Sequence, residues 1–268
     1  MPSAFEAVRS DAHSDSTFFV TSGLLFIASA ATTTLWTSSM DSGMAMPGGW
    51  TMSMAWMRMP TQTWLGAAAS FMGMWLLMMV AMMIPSLTGM LMGYRRALRS
   101  AGTARLGGAT VLAGAGYFLV WMLVGAAVYP LGIALAATEM RSEAVSRFVP
   151  VATGAVLLIA GCVQLSGWKA RQLVLCRDPP QCAAMQSADA RSSWAHGIHL
   201  GVHCGLCCSG YMMILLVTGV MNLGVMVMVA AAITIERLAA RPLRIARTAG
   251  MIVIAAAVIA IVQALLPP

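Results

Sequence analysis

Seven long apolar runs, separated by short polar or basic segments, divide the sequence into elements. We place them at roughly residues 18–36, 64–93, 109–137, 149–168, 196–218, 223–235 and 251–266. About 20 apolar residues make a helix that is long enough to cross a bilayer. The pattern therefore predicts an all-α, polytopic transmembrane helix bundle of about seven spans. Residues 17–268 would form a single integral membrane domain, after a disordered N-terminus at residues 1–16.

The composition excludes an ordinary soluble domain. Hydrophobic residues make up 59% of the chain and charged residues only 9%, whereas about a quarter of a soluble domain is charged. The formal net charge is +7, but the basic residues cluster in short segments between apolar runs. The lipid bilayer is therefore the expected partner of these charges, and nucleic acid is not expected.

The basic segments also predict an orientation. Three of them, at 93–108, 169–196 and 237–248, alternate with acidic or neutral segments. Because basic loops stay in the cytoplasm, the N-terminus is expected to be cytoplasmic. This topology makes the chain a multi-pass protein of the inner (plasma) membrane and places the loop at 37–63 on the extracytoplasmic side.

Methionine is unusually frequent, with 25 residues in the chain. Soft thioethers in an exposed loop favour copper(I) or silver(I), so the loop at 37–63 is a candidate for metal capture. The alternative is a re-entrant or interfacial helix with Trp50, Trp56 and Trp64 as its aromatic belt. The loop contains seven methionines: Met40, Met44, Met46, Met52, Met54, Met57 and Met59.

The second apolar run carries further methionines as candidate ligands. Met79, Met82 and Met83 lie in its later half, and Met79 and Met83 share one face of a helix because they are four residues apart. Methionine also fills irregular gaps between packed helices. Metal ligation and core packing therefore remain two interpretations of these residues.

The segment HGIHLGVHCGLCC, residues 196–208, concentrates the residues that bind metals. On a helix, His196, His199, His203 and Cys207 fall within about one quarter of the circumference. The thiols of Cys204 and Cys208 lie next to this edge, and Gly197, Gly201 and Gly205 form a strip that lets another helix approach. Polar residues inside a span indicate a functional site. We predict copper(I) as the ligand, with zinc and a C-x-x-C thiol-redox site as alternatives.

Glu236 ends the sixth apolar run beside Arg237. It is a candidate metal ligand or a partner of a ligating histidine. An ion pair at the membrane interface is the other interpretation of this carboxylate.

Three segments resemble a bacterial family described as predicted metal-binding integral membrane proteins, a domain of unknown function. They are MVAMMIPS at Met79–Ser86, the basic turn Lys169–Pro179 that ends in CRDP, and Gly197–Asn222 with GVHCGLCC and GVMN. Glu236–Arg237 is a fourth match. Ser209 departs from the family pattern, which commonly has an aromatic residue there. The resemblance implies a membrane location and metal binding, and it supplies no reaction.

These features predict a protein that handles copper by uptake, export or delivery. The outer methionines would capture the ion and an inner Cys/His site would receive it. There are two alternative functions. The protein could be a membrane assembly factor or chaperone for a metalloenzyme, or it could be a thiol-redox membrane protein. Expected partners besides the bilayer and the metal ion are a metalloenzyme or a periplasmic metal carrier. An enzymatic reaction is not assigned.

Overall fold

The computed structural model describes residues 4–39, 43–47, 49–58, 62–103, 105–177 and 189–266. These residues form an α-helical bundle, which confirms the predicted fold class. Two short strands interrupt the helical pattern, between the first and second helices. The helices are α1 (Ala4–Ser39), α2 (Trp64–Ser100), α3 (Leu106–Arg141), α4 (Glu143–Leu165), α5 (Gly167–Arg177), α6 (Ala190–Thr218), α7 (Leu223–Leu238) and α8 (Pro242–Leu265).

Among the described residues, six helices are long and apolar enough to cross a membrane: α1, α2, α3, α4, α6 and α8. The sequence predicted about seven spans. Helix α7, the predicted sixth span, has 16 residues and is therefore about 24 Å long, which is short of a bilayer core of about 30 Å. The six helices are compatible with a multi-pass membrane protein.

Helix α1 starts earlier than the sequence analysis expected. It begins at Ala4 and so includes residues 4–16, which we had assigned to a disordered N-terminus. Neither glycine nor proline occurs between Pro2 and Gly23, so nothing in the sequence interrupts a helix there. Asp15 fixes this part of α1 to α2 through ion pairs of 3.1 Å with Arg95 and 2.9 Å with Arg99. The predicted division into domains stays a prediction.

The predicted glycine strip brings α6 against α3. A Cβ atom on Gly197 would collide with the backbone of Ala113, and one on Gly201 would lie 2.9 Å from the Tyr117 carbonyl oxygen. Gly205 faces open space. The close approach of a neighbouring helix is therefore confirmed at two of the three glycines.

We expect Gly197→Ala to destabilise the fold by about 1–3 kcal/mol, because the added methyl group must push α3 and α6 apart. Gly205→Ala is the matched control on the same helix. It should leave stability unchanged or slightly raised, since alanine has the higher helix propensity. Thermal unfolding of both variants in detergent measures the difference, and equal unfolding temperatures would contradict this packing.

The methionine-rich loop forms a β-hairpin, so the predicted re-entrant or interfacial helix is wrong for its described residues. Strands β1 (Met44–Met46) and β2 (Trp50–Met52) are antiparallel, and a 3₁₀ turn follows at Met54–Trp56. Gly49 has φ +77° in the connecting turn, a conformation that glycine adopts readily. The hairpin is anchored to α4, because the Trp50 indole donates a 3.0 Å hydrogen bond to the Ser146 carbonyl oxygen. Met40 and Met59 lie outside the described residues.

Candidate metal centre

Cys204 lies midway along α6, about 20 Å from either end at 1.5 Å per residue. The apolar pattern predicted that this span starts within the His/Cys segment, but the helix begins at Ala190. The Asp189 carboxylate caps it by accepting a 3.2 Å hydrogen bond from the Ser192 amide. The cysteines therefore lie deeper in the bundle than the predicted position at the start of the span.

Five sulfur-containing side chains from three helices meet at this level. Cys204 Sγ lies 3.9 Å from Cys208 Sγ and 4.0 Å from the Met83 Sδ of α2. The Cys176 thiol of α5 lies within hydrogen-bonding reach of Cys204 and Cys207. All five side chains are buried. We call Met83, Cys176, Cys204, Cys207 and Cys208 the sulfur cluster.

Cys176 is a member of the cluster that the sequence pattern did not identify as a site residue. It lies on α5, a short helix within the segment that was predicted to be a basic loop. The hydrogen bonds to Cys204 and Cys207, together with burial, raise the pKa of the Cys176 thiol above its usual range. Cys176 therefore adds a sulfur from a third helix to the cluster.

Arg237 of α7 supplies a positive charge to the sulfur cluster. Its Nη2 atom donates hydrogen bonds to Cys204 Sγ at 3.0 Å and Cys208 Sγ at 3.2 Å. The Tyr117 hydroxyl of α3 lies 2.9 Å from Cys204 Sγ as well. The guanidinium is buried, and its charge acts strongly on the sulfurs because the surroundings have a low dielectric constant.

A buried ion pair borders the cluster next to Cys207. The Lys169 Nζ atom lies 2.5 Å from Glu236 Oε1, and both side chains are only 2% exposed. Lys169 also donates a 2.8 Å hydrogen bond to the Cys207 carbonyl oxygen. The second carboxylate oxygen of Glu236 accepts a 2.7 Å hydrogen bond from Tyr211. Glu236 is thus paired inside the bundle with Lys169, and not at the interface with Arg237.

The three predicted histidines make contacts of their own along α6. The His196 ring stacks on Tyr94 of α2 with a centroid separation of 4.2 Å. His199 Nε2 and His203 Nε2 lie 3.2 Å apart. The structure therefore groups the histidines with each other and with α2, on a stretch of helix before the cysteines, and a ligand role for them stays a prediction.

Of the three candidate methionines on α2, one contacts a cysteine sulfur and the other two pack in the surrounding core. Met83 reaches Cys204, while Met79 and Met82 are buried in the surrounding core. In the described ranges, no group of three or more His, Cys, Asp or Glu side chains is placed so that it could hold a metal ion. A site at this position must therefore count a thioether among its ligands or rearrange when the ion binds.

Comparison with known proteins identifies the family of the chain. No curated protein and no solved structure matches it. A model of the family described as PpoB2, copper chaperone, matches residues 72–260, a region that includes all residues of the sulfur cluster. This match assigns the protein a copper-handling role in general. The chain belongs to the PpoB2 family of copper chaperones.

Proposed function

We propose that the protein is an integral membrane chaperone for copper(I), which it holds between Cys204, Cys208 and Met83 and delivers to a metalloenzyme or metal carrier. The position of Cys204 carries the proposal. Its sulfur lies 3.9 Å from Cys208 Sγ and 4.0 Å from Met83 Sδ, and all three side chains are buried between α2 and α6.

These separations suit sulfurs that share one ion. Two sulfurs bound at about 2.3 Å with a tetrahedral angle between them lie about 3.8 Å apart. Two thiolates and one thioether form a soft ligand set, which selects copper(I). Structural zinc is bound by four nitrogen, oxygen or sulfur ligands and does not use thioethers. The ligand set therefore favours copper(I) over zinc.

The charged side chains around the cluster are consistent with the binding of a monovalent ion. Copper(I) bound by two thiolates has a net charge of minus one, and a buried charge without a partner is strongly destabilising. The Arg237 guanidinium already donates to both thiols and can balance this charge. Arg237 would thus act as an outer-shell partner of the ion, a role that typically changes metal affinity by about 10–100-fold.

The methionines of the hairpin segment would supply copper(I) to the sulfur cluster from outside the membrane. Met44, Met46 and Met52 belong to the hairpin, Met54 begins the 3₁₀ turn and Met57 caps its end. Positively charged segments stay in the cytoplasm, which supports placing this loop outside the inner membrane. In that position its thioethers would collect copper(I) for the sulfur cluster.

Metal retention by the purified protein tests this function. Detergent-solubilised protein is offered equal concentrations of copper(I) and zinc(II) under anaerobic, reducing conditions, and then desalted in the presence of a moderate chelator. We expect about one copper per chain to remain and zinc to be lost, because the ligand set is soft. Preferential retention of zinc would contradict the proposal.

A further inference from the structure

A cavity of about 240 Å³ lies at the hairpin end of the bundle. It opens between the 3₁₀ turn after the hairpin, the first turns of α2, and the turn that joins α6 to α7. Aromatic side chains form part of its wall. They are Trp36, Phe71 and Tyr129.

Four methionine residues from three separate segments line this cavity. Met54 and Met57 come from the hairpin segment, Met74 from α2 and Met221 from the α6–α7 turn. Of the described residues that line it, none is Asp, Glu, His or Cys. Calcium and magnesium need oxygen ligands, whereas thioethers select soft ions. The cavity therefore has the chemistry of a copper(I) or silver(I) site.

The cationic side chain that lines this cavity, Arg58, has partners within its own loop segment and at the start of α2. Arg58 Nη1 donates a 2.8 Å hydrogen bond to the Gln62 carbonyl oxygen, and the guanidinium lies 5.1 Å from the centre of the Trp64 ring. Its charge is thus engaged at the exposed rim of the loop.

A stripe of buried methionines leads from this cavity to the sulfur cluster. Met74, Met78 and Met82 follow at four-residue intervals on one face of α2, each step rising about 6 Å. Their exposed fractions are 5%, 1% and 2%. Met83, whose Sδ lies 4.0 Å from Cys204 Sγ, follows Met82 in the sequence and lies about 100° further around the helix. The whole distance from Met74 to Met83 is about 14 Å along the helix axis.

We propose that the cavity is a separate thioether site for copper(I), and that Met78 and Met82 pass the ion from it to Met83 and Cys204. This inference rests on the proposed function of the sulfur cluster. At each transfer one copper–sulfur bond forms while another breaks, and the ion stays copper(I), so no electron acceptor is needed. Thiol protons that are displaced at the cluster are released to the buffer.

The rate at which copper(I) reaches the cysteines tests the route. Detergent-purified protein is mixed with the acetonitrile complex of copper(I) in a stopped-flow instrument, and the ultraviolet absorption of the copper–thiolate bond is followed. We expect Met74→Leu and Met78→Leu each to slow this signal at least about tenfold while its final amplitude is kept, because leucine preserves the volume of methionine but has no sulfur. Met228→Leu is the matched control, since Met228 is 65% exposed on α7.

The final amplitude separates the two proposals. If wild-type protein shows no copper–thiolate absorption at equilibrium, the proposed function of the sulfur cluster fails. If wild type fills normally and the Met74→Leu and Met78→Leu variants fill at the wild-type rate, the cluster stands and the methionine route is overturned.

Discussion

Cys204→Ser is expected to lower the affinity of the protein for copper(I) by more than about 100-fold, the upper range for losing an outer-shell partner. Cys204 is the sulfur that contacts both Cys208 and Met83, so its loss leaves two ligands without a common centre. A serine hydroxyl is a hard donor and binds copper(I) poorly. Competitive titration with a copper(I) chelator in detergent measures the affinity.

Cys162→Ser is the matched control for this variant. Cys162 carries a free thiol on α4 that is exposed, and it lies outside the sulfur cluster. Its replacement should leave copper affinity unchanged. Serine at position 204 can still pair with Tyr117 and Arg237, so we expect the helical content to be kept. A similar loss of affinity in both variants would show that copper binds by general thiol chemistry.

Lys169→Met is expected to destabilise the protein by about 3–5 kcal/mol, because it leaves the Glu236 carboxylate buried without its counter-charge. Both members of the pair are 2% exposed, so water cannot solvate the remaining group. Lys169 also donates to the Cys207 carbonyl oxygen, and this bond is lost in the same variant. The loss of stability is measured by unfolding in detergent.

Two controls separate loss of the pair from loss of the lysine side chain. The double variant Lys169→Met/Glu236→Leu should regain most of the stability, since it leaves neither charge unpaired. Arg147→Met removes the pair with Glu143, whose side chains are 69% and 65% exposed, and should change stability by about 0.5 kcal/mol or less. A double variant no more stable than Lys169→Met would contradict a buried ion pair.

The apolar runs predicted the helical fold, because a bilayer span needs a long, nearly uninterrupted apolar helix. The ends of the helices were harder to predict. Residues 190–195 are too polar to count as part of an apolar run, but Asp189 is a residue type that is preferred at the N-cap of a helix. Recognising that cap would have placed Cys204 in the middle of α6. The glycine spacing, by contrast, correctly predicted the close approach of a neighbouring helix at Gly197 and Gly201, and the structure shows that this helix is α3.

The candidate site could be predicted only in part, since its members come from five helices. The local pattern identified Cys204, Cys207 and Cys208, and listed Met83 among several methionines. It could not show that Lys169 and Cys176 of α5 approach them, because such contacts depend on how separate helices pack. A signal was present, however. Each of the four segments that resemble the metal-binding family contributes a side chain to the cluster or its charged border.

The nature of the atoms bound to copper is the most direct test of the central claim. X-ray absorption spectroscopy of copper-loaded protein in detergent distinguishes sulfur from nitrogen ligands. We predict a copper(I) edge and a first shell of sulfur alone, from Cys204, Cys208 and Met83. A first shell that contains imidazole nitrogen would contradict the account and would place the ion at His199 and His203 instead.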